Sequence, residues 1–361
     1  MNTKLRAEAF LAGIREMATE PFKIMEVCGS HTVAIAKSGV RELLPETVKL
    51  VSGPGCPVCV TDNSDIDRFL ALAKLPGVII TTFGDMIRVP GSKTSLQTIR
   101  AEGADVRIVY STLDALEIAR QNPGQDVVFL GVGFETTIPT VAVSVEIAER
   151  EALSNYSVLG MHKLVPPVLE LLVTDPELDL NGFINPGHVC SVLGTEPFEF
   201  IAREYGKPSV VGGFEALDIL EAIFMLLRQR QEKRSEVEIQ YFRVVKREGN
   251  PKAVEYMNKY FNQADAIWRG IGLIPQSGLK LKPQYAKFDA EKRFDLPQPV
   301  VRETPSCLCG QILKGRILPF DCPLFGRSCT PLQPVGPCMV SSEGSCAAYF
   351  RYSKRRNTNA G

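Results

Sequence analysis

Two cysteines near the end of a predicted strand have the spacing of a redox pair. Cys56 and Cys59 are separated by two residues, and an apolar run at residues 48–51 precedes them. Pro57 suits the first turn of a helix, so Cys56 is predicted at a helix N-terminus, where backbone N–H groups favour a thiolate. The alternative is a pair of buried structural cysteines. No second close Cys or His pair follows, which disfavours zinc.

A second sulfur-rich stretch contains six cysteines within forty residues: Cys307, Cys309, Cys322, Cys329, Cys338 and Cys346. Zinc sites typically use two Cys-x-x-Cys knuckles, whereas wide spacing in proline-rich loops favours an iron–sulfur cluster held by four thiolates. Four ligands leave two thiols, which could form a redox-active disulfide beside the cluster. The residues alone therefore favour a cluster over zinc.

Cys28 and His31 end the first predicted strand and form a third candidate site. A thiolate and an imidazole are a soft and a borderline ligand for a transition metal, but two ligands do not define a site. His162 and His188 follow later predicted strands, and two of only three histidines at strand ends favour a functional site over ordinary hydrogen-bonded partners. Cys190 has no nearby partner in the sequence and is predicted to be a packed core thiol.

Composition argues against several classes of protein. The 361 residues carry 41 basic and 41 acidic side chains, so no global field recruits nucleic acid or an anionic membrane. No leader peptide and no apolar run of membrane length are evident, and we expect a cytoplasmic protein. In a reducing compartment, ten cysteines indicate metal binding or redox chemistry rather than a disulfide framework.

Short apolar runs, each followed by a turn and a helical segment, predict an α/β fold with parallel strands and helices on the sheet faces. An amphipathic helix is predicted before them at residues 3–18. Ligands of such folds bind at the carboxyl ends of the strands, and we expect these ends to line one cleft. The eight predicted strands are Lys23–Val27, Val48–Val51, Gly77–Thr82, Val106–Tyr110, Asp126–Gly131, Ser157–Met161, Gly182–Ile184 and Pro208–Val211.

The loop Asn122-Pro-Gly-Gln125 is the strongest break between these strands. It predicts two similar parallel-sheet, Rossmann-like domains at residues 1–121 and 122–237. From Glu238 the alternation of strand and helix stops. Residues 238–361 are predicted to form a mixed third domain that wraps the earlier two, with irregular packing segments, a helix around residues 251–261 and the second cysteine-rich stretch.

The chain resembles the HypD family of [NiFe]-hydrogenase maturation proteins over nearly its whole length. The family resemblance implies a C-terminal domain similar to ferredoxin–thioredoxin reductase. It also implies a scaffold that, with a HypC-type chaperone, holds iron while it acquires carbon monoxide and cyanide, the cyanide coming from a HypE-type protein. The resemblance rests on the six terminal cysteines and on the segments Glu26–Thr32, Gly53–Cys59, Gly133–Thr137, Pro186–Cys190 and Trp268–Gly270.

By resemblance, Cys28 is the thiolate of the iron site, where His31 would orient or protonate what binds. Cys56 and Cys59 would be a second essential pair. From the charge balance we expect no nucleic-acid or membrane partner, and we expect a monomer outside the complex. The resemblance also implies a [4Fe–4S] cluster held by four of the terminal cysteines and a disulfide between the other two: Cys307, Cys322, Cys329 and Cys346 for the cluster, Cys309 and Cys338 for the disulfide.

A rival interpretation is a ferredoxin-dependent thiol–disulfide oxidoreductase that passes electrons through the cluster to Cys56 and Cys59 and on to a client protein. Cys28 and His31 favour the scaffold over this reductase, because a simple reductase has no use for a third thiol and an imidazole beside the dithiol. A structural zinc protein is a third interpretation. Whether the chain is an enzyme or an assembly scaffold with redox activity stays open at this stage.

For the scaffold, we expect the two dithiols to be donor and acceptor on one electron path toward Cys28. Thiol–disulfide exchange requires the sulfur atoms to meet. The sequence does not show whether the third domain reaches the cleft.

Overall fold

The computed structural model describes residues 3–296 and 306–353 and contains two parallel sheets and an antiparallel hairpin. All eight strands predicted from the sequence are present, with ends that agree within two residues. The strands are β1 (Phe22–Glu26), β2 (Val48–Ser52), β3 (Val78–Thr82), β4 (Val106–Ile108), β5 (Asp126–Gly131), β6 (Tyr156–Gly160), β7 (Gly182–Pro186), β8 (Ser209–Gly212), β9 (Val237–Ile239), β10 (Phe261–Trp268) and β11 (Gly272–Leu281).

Helices connect the strands, as the alternation in the sequence predicts. The predicted helices at residues 3–18 and 251–261 are confirmed, at Thr3–Met17 and Pro251–Tyr260. The helices are α1 (Thr3–Met17), α2 (Gly29–Ser38), α3 (Val40–Leu43), α4 (Pro57–Val60), α5 (Asn63–Ala73), α6 (Leu96–Ala101), α7 (Thr112–Gln121), α8 (Ile138–Arg150), α9 (Val165–Val173), α10 (Gly187–Leu193), α11 (Glu199–Arg203), α12 (Ala216–Gln231), α13 (Pro251–Tyr260), α14 (Ala290–Arg293), α15 (Cys309–Leu313), α16 (Pro337–Val340) and α17 (Ser345–Tyr352).

The two parallel sheets are interleaved in the sequence. The first has the strand order β2-β1-β7-β8-β9, and the second has the order β4-β3-β5-β6. Neighbouring strands in both are parallel, which is consistent with two Rossmann-like units. The chain builds β1 and β2, then the whole second sheet, and returns to the first with β7. The expected division into successive domains at residues 1–121 and 122–237 does not match this pairing, because each range gives strands to both sheets.

The loop that suggested this boundary is a turn inside the second sheet. It joins α7 to β5, and the Gln125 N–H donates to the Asn122 carbonyl over 3.0 Å. Turn residues mark the end of an element. They do not determine which strand the chain pairs with next, because parallel strands are joined by long crossovers.

Residues 238–296 contain an extended hairpin where the sequence indicated irregular packing segments. β10 and β11 pair antiparallel, with a register irregularity between Ala264 and Ala266. Trp268 is fully buried, and its indole N–H donates to Ser277 Oγ over 2.8 Å. The hairpin also bridges to Thr61 and Lys163, and so connects the helix after β2 with the end of the second sheet.

The cysteine-rich segment (residues 306–353) consists of short helices and loops packed on the first sheet. α17 lies against α2, and the guanidinium of Arg41 stacks 4.6 Å from the Tyr349 ring centre. One buried apolar cluster runs from strands of both sheets into this segment and includes Met25, Phe183 and Met339. The likeness of the segment to ferredoxin–thioredoxin reductase stays a prediction.

Of the described helices, none is both long and apolar enough to span a bilayer.

The backbone contact between Gly270 and Gly310 gives a test of how the cysteine-rich segment docks. A Cβ on Gly310 would lie 2.7 Å from the Gly270 Cα. We expect Gly310→Ala to lower the free energy of unfolding by about 1–3 kcal/mol, because overpacking forces backbone to move. Urea denaturation measures the change. Gly124→Ala is the control, since a Cβ there meets nothing within 4 Å, and equal effects of the two changes would contradict the docking.

Candidate thiol and metal-cluster site

Cys28 lies directly against the turn that carries the Cys56–Cys59 pair. It follows β1 and caps the N-terminus of α2 with extended backbone. The Gly29 N–H donates to the Gly55 carbonyl over 2.8 Å, and a Cβ on Gly55 would lie 2.3 Å from the Cys28 nitrogen. Only glycine at position 55 permits this approach. The sulfur sites predicted at the ends of the first two strands, Cys28 and the Cys56–Cys59 pair, are therefore adjacent.

The Cys56–Cys59 pair has the predicted helical geometry. Cys56 caps α4, Pro57 is in its first turn, and Cys56 Sγ accepts the Cys59 N–H over 3.3 Å. The Cys56 thiol also lies 3.3 Å from Ser341 Oγ, as a donor to it. Both cysteines are buried, and burial raises the pKa of Cys59 well above its usual range.

The two dithiols meet. Cys309 Sγ is 2.7 Å from Cys338 Sγ, and the Cys338 thiol lies beside Cys59, since each of these two thiols shifts the pKa of the other. This contact brings α16 of the cysteine-rich segment against α4. Sulfur atoms therefore run in contact from Cys309 through Cys338 to Cys59, which is the proximity that exchange between the pairs requires.

All six cysteines of the cysteine-rich segment line one small cavity. The remaining side chains that line it are apolar, among them Ile312, Phe325 and Met339, and Cys307 is the most exposed of the six thiols. Burial raises the pKa of Cys346 well above its usual range, so a thiolate there needs a positively charged partner. Several thiols in an apolar shelter are the donor set of an iron–sulfur cluster.

A site for one metal ion is a separate question. Within residues 3–296 and 306–353, no three His, Cys, Asp or Glu side chains converge closely enough to hold a single ion. The six thiols that line the cavity are instead the type and number of donors from which a multi-iron cluster could draw four ligands. Cys28 and His31 alone also do not form a closed site.

His31 binds backbone carbonyls of the first sheet. Its Nε2 lies 3.1 Å from Gly212 O and 3.0 Å from Gly213 O, both at the end of β8. Burial lowers the pKa of His31 to about 4, so the ring is neutral at pH 7 and Nε2 donates. The Nδ1 lone pair is buried without a partner among the described residues. The rings of His31 and His188 both stack on the ring of Phe214. Their ring centres lie 4.7 Å and 4.1 Å, respectively, from that of Phe214.

Carboxyl groups that the sequence did not single out surround Cys28. The Cys28 N–H donates to Glu26 Oε2 over 3.3 Å, and Ser30 Oγ donates to Glu343 Oε1 over 2.6 Å. Burial, followed by the charge of Glu343, raises the pKa of Cys28 to about 12. Burial also raises the pKa of Glu26 to about 7. A free Cys28 is therefore a thiol at neutral pH, and a bound cation would favour its thiolate.

Loop residues complete the site. Ser341 Oγ, which accepts from Cys56, donates to Asp85 Oδ2 over 3.3 Å. Asp85 follows β3, so the second sheet also reaches the thiols. Ser341 and Glu343 lie between α16 and α17 in a stretch with no recognisable motif, and only their neighbours Cys338 and Cys346 point to that region.

Two of the predicted strand-end residues remain, of which Cys190 packs near Cys28 and His162 lies away from the thiols. Cys190 is fully buried, which agrees with a core thiol, and burial raises its pKa. His162 lines a different cleft beside β6 and β11. The expectation that all strand ends line one cleft is therefore wrong, because the strands divide between two sheets.

Comparison with known proteins gives one consistent family. Residues 6–353 match the HypD family, described as "Hydrogenase formation hypA family". The chain is similar to "Hydrogenase maturation factor HypD2" of Bradyrhizobium diazoefficiens, at 48% identity over 346 residues that cover 94% of this chain and 91% of that protein. It is also similar to "Hydrogenase maturation factor HypD" of Escherichia coli, at 45% identity over 341 residues that cover 94% and 91%. The family match includes every cysteine of the site.

The contact between Cys59 and Cys338 can be tested by trapping. In a Cys56→Ser/Cys309→Ser variant each of these thiols loses its other partner, so we expect diamide, which removes two electrons and two protons, to join them as a disulfide. Peptide mapping by mass spectrometry detects the link. The matched control is Cys59→Ser/Cys309→Ser, in which Cys56 is the remaining thiol of its pair. We expect less disulfide between Cys56 and Cys338 in this control than between Cys59 and Cys338 in the test variant. Absence of the Cys59–Cys338 peptide would show that the pairs do not meet in solution.

Proposed function

The chain belongs to the HypD family, and we propose that it is the scaffold on which the Fe(CN)₂CO group of [NiFe]-hydrogenase is assembled. In this role it holds iron at Cys28 together with a HypC-type chaperone. A HypE-type protein delivers cyanide. The observation that carries the proposal is the continuous sulfur contact from the six-cysteine cavity, through Cys338 and Cys59, to the turn packed against Cys28.

The surroundings of Cys28 support a cation as cargo. Its thiol lies at the carboxyl end of β1, is buried, and has the carboxyl groups of Glu26 and Glu343 beside it. These groups disfavour a bare thiolate and favour positive charge. An iron ion would supply that charge and convert the thiol into a ligand. His31, held by two carbonyls of β8, would keep its Nδ1 lone pair available at the same end of the sheet.

The cysteine-rich segment fits a [4Fe–4S] cluster held by Cys307, Cys322, Cys329 and Cys346. Such a cluster supplies electrons singly. The remaining pair, Cys309 and Cys338, can accumulate two electrons as two thiols. Release of cyanide as CN⁻ from an S–C≡N group needs two electrons, and oxidation of a dithiol to a disulfide supplies them with loss of two protons. Because Cys59 contacts Cys338, thiol–disulfide exchange would pass the two electrons from the Cys309–Cys338 dithiol to a Cys56–Cys59 disulfide. The resulting Cys56–Cys59 dithiol lies next to Cys28.

The alternative of a thiol–disulfide oxidoreductase for a protein client fits the structure less well. The two dithiols would serve such an enzyme equally, because they meet. However, Cys56 is 4% exposed and Cys59 is fully buried. A disulfide of a client protein must reach the attacking sulfur directly, and neither sulfur offers that access. A small group bound at Cys28 would still lie next to the Cys56–Cys59 pair.

The cluster proposal has a direct chemical test. We expect anaerobically purified protein to be brown and to contain about four iron and four sulfide per chain, as one cubane cluster requires. Cys322→Ser and Cys329→Ser should each lower the iron and sulfide content, because each removes a proposed thiolate ligand. Cys190→Ser is the control, since Cys190 is a core thiol outside the cavity. Stoichiometric zinc without acid-labile sulfide would contradict the proposal.

The iron site is tested separately. We expect Cys28→Ala to keep the fold and the cluster, because Cys28 does not line the six-cysteine cavity. The same change should abolish the additional iron that is held with the HypC-type chaperone. Infrared spectroscopy of the complex detects cyanide and carbonyl stretches on that iron. Undiminished bands in the Cys28→Ala complex would refute this role of Cys28.

A further inference from the structure

A second cleft lies at the carboxyl end of β6, away from every cysteine. It has a volume of about 520 Å³ and opens between the end of β6 and the start of α5 on one side and the hairpin on the other. Its floor carries His162 and Lys163, which follow β6 directly. Carboxyl ends of parallel strands are where α/β folds bind ligands. No part of the proposed maturation chemistry uses this cleft.

His162 is the least satisfied buried polar side chain of the cleft. It is 2% exposed, and neither ring nitrogen has a hydrogen-bond partner among the described residues. Its ring packs edge-on to Phe261 and against Gly131, where a Cβ would come within 2.7 Å of it. Burial, followed by the charge of Lys163, lowers the pKa of His162 to about 3. The neutral ring therefore offers one N–H donor and one acceptor, and a buried group left unpaired costs stability.

Lys163 adds a buried cation with spare donors. Its side chain is 4% exposed, and its Nζ lies 3.1 Å from Asp65 Oδ2. An ammonium group has three N–H donors, and Asp65 is the one side-chain partner that it has in the described part of the chain. Together with His162, the floor offers more donors than acceptors. A ligand with two or more acceptor oxygens and one O–H complements it.

The charges around the floor limit the charge of this ligand. Lys163 and Asp65 neutralise each other. Arg68 lies 3.0 Å from Glu291, and Lys280 also pairs with Glu291, which leaves an excess of one positive charge. Asp265 and Asp295 line the cleft as exposed carboxylates nearer its rim. The excess positive charge lies on Arg68 and Lys280, and the carboxylates of Asp265 and Asp295 offset it, so the cleft disfavours a dianion more than a monoanion.

The upper part of the cleft is apolar. Ile267, Leu273 and Phe294 line it, and Leu273 is 62% exposed. The volume of the cleft exceeds that of an oxyanion alone. An apolar group attached to the oxyanion would therefore contact these side chains while the oxyanion reaches the floor.

We propose that this cleft binds a monoprotonated oxyanion of the phosphate class, with its anionic oxygens on Lys163 and its O–H on His162. The oxyanion belongs either to a phosphomonoester, whose organic group packs on Ile267 and Leu273, or to inorganic phosphate. This site is independent of the thiol site and of the function proposed for it.

Ring ¹⁵N spectra of the full-length protein test the site, because the sequence has only three histidines, His31, His162 and His188. We expect phenyl phosphate to shift the His162 signals saturably and to leave those of His31 and His188 in place. Tighter binding of phenyl phosphate than of inorganic phosphate would identify a phosphomonoester as the ligand, and the reverse would identify free phosphate. Equal shifts at all three histidines, or no saturable shift at His162 with either ligand, would overturn the proposal.

The dependence on pH follows from the ligand. Phosphomonoesters lose their second proton near pH 6, so we expect binding at about pH 8 to be at least about tenfold weaker than at about pH 5.5, where the monoanion dominates. Stronger binding at the higher pH would show that the dianion is preferred and would overturn the assignment of the O–H to His162. Sulfate, which carries no proton in this range, should bind weakly at both values.

His162→Phe is the informative variant, because it keeps the ring packing and removes two nitrogens that have no internal partner. We expect it to fold with at least wild-type thermal stability and to weaken phenyl phosphate binding at least about tenfold, or about 1.4 kcal/mol, as measured by calorimetry. Lys163→Gln should also weaken binding. Lys287→Met is the matched control, since Lys287 is exposed and pairs with Glu149 outside the cleft. Undiminished binding in His162→Phe would contradict the proposal.

Discussion

The contact between the Cys59 and Cys338 thiols is the interaction on which the rest of the site depends. It holds the helix after β2 against the cysteine-rich segment, and the hairpin fixes both partners. Backbone N–H of Arg269 donates to Val60 O over 2.9 Å, and its Nε donates to Thr61 O over 2.7 Å. The next residue, Gly270, packs on Gly310. A short span of hairpin therefore positions α4 and the six-cysteine cavity relative to each other.

Burial is the second constraint, and it governs the electrostatics of the thiols. It is the largest cause of the raised pKa of Cys28, Cys59 and Cys346. Thiolates at these positions need a cation, and the proposed iron and cluster would supply that charge, whereas a free reactive thiolate is disfavoured. The same burial excludes bulky protein disulfides while it leaves room for small groups, which is why the scaffold interpretation accounts for the geometry better than a client reductase.

The interleaved topology explains why one chain carries two separate clefts. When the chain returns to the first sheet, β7 pairs with β1 and β8 pairs with β7. This order brings the Gly212 carbonyl and Phe214 to His31, and His188 stacks on the same Phe214. The second sheet contributes Asp85 to this site, but its far strand β6 ends at the other cleft. Strand order, and not position in the sequence, decides which strand-end residues act together.

The sequence by itself determined the elements and the donor types. Apolar runs predicted eight of the nine described strands of the parallel sheets and missed β9. Pro57 and the glycines around Cys56 predicted the short helix at the dithiol, and the terminal cysteines indicated a cluster. Those signals are local. The tertiary structure alone decided the pairing of strands across the 121/122 boundary, the hairpin that docks the cysteine-rich segment, the contact of the two dithiols, and the place of Glu343 beside Cys28. These depend on packing between residues far apart in the chain, and neither spacing nor periodicity encodes which distant surfaces bury each other.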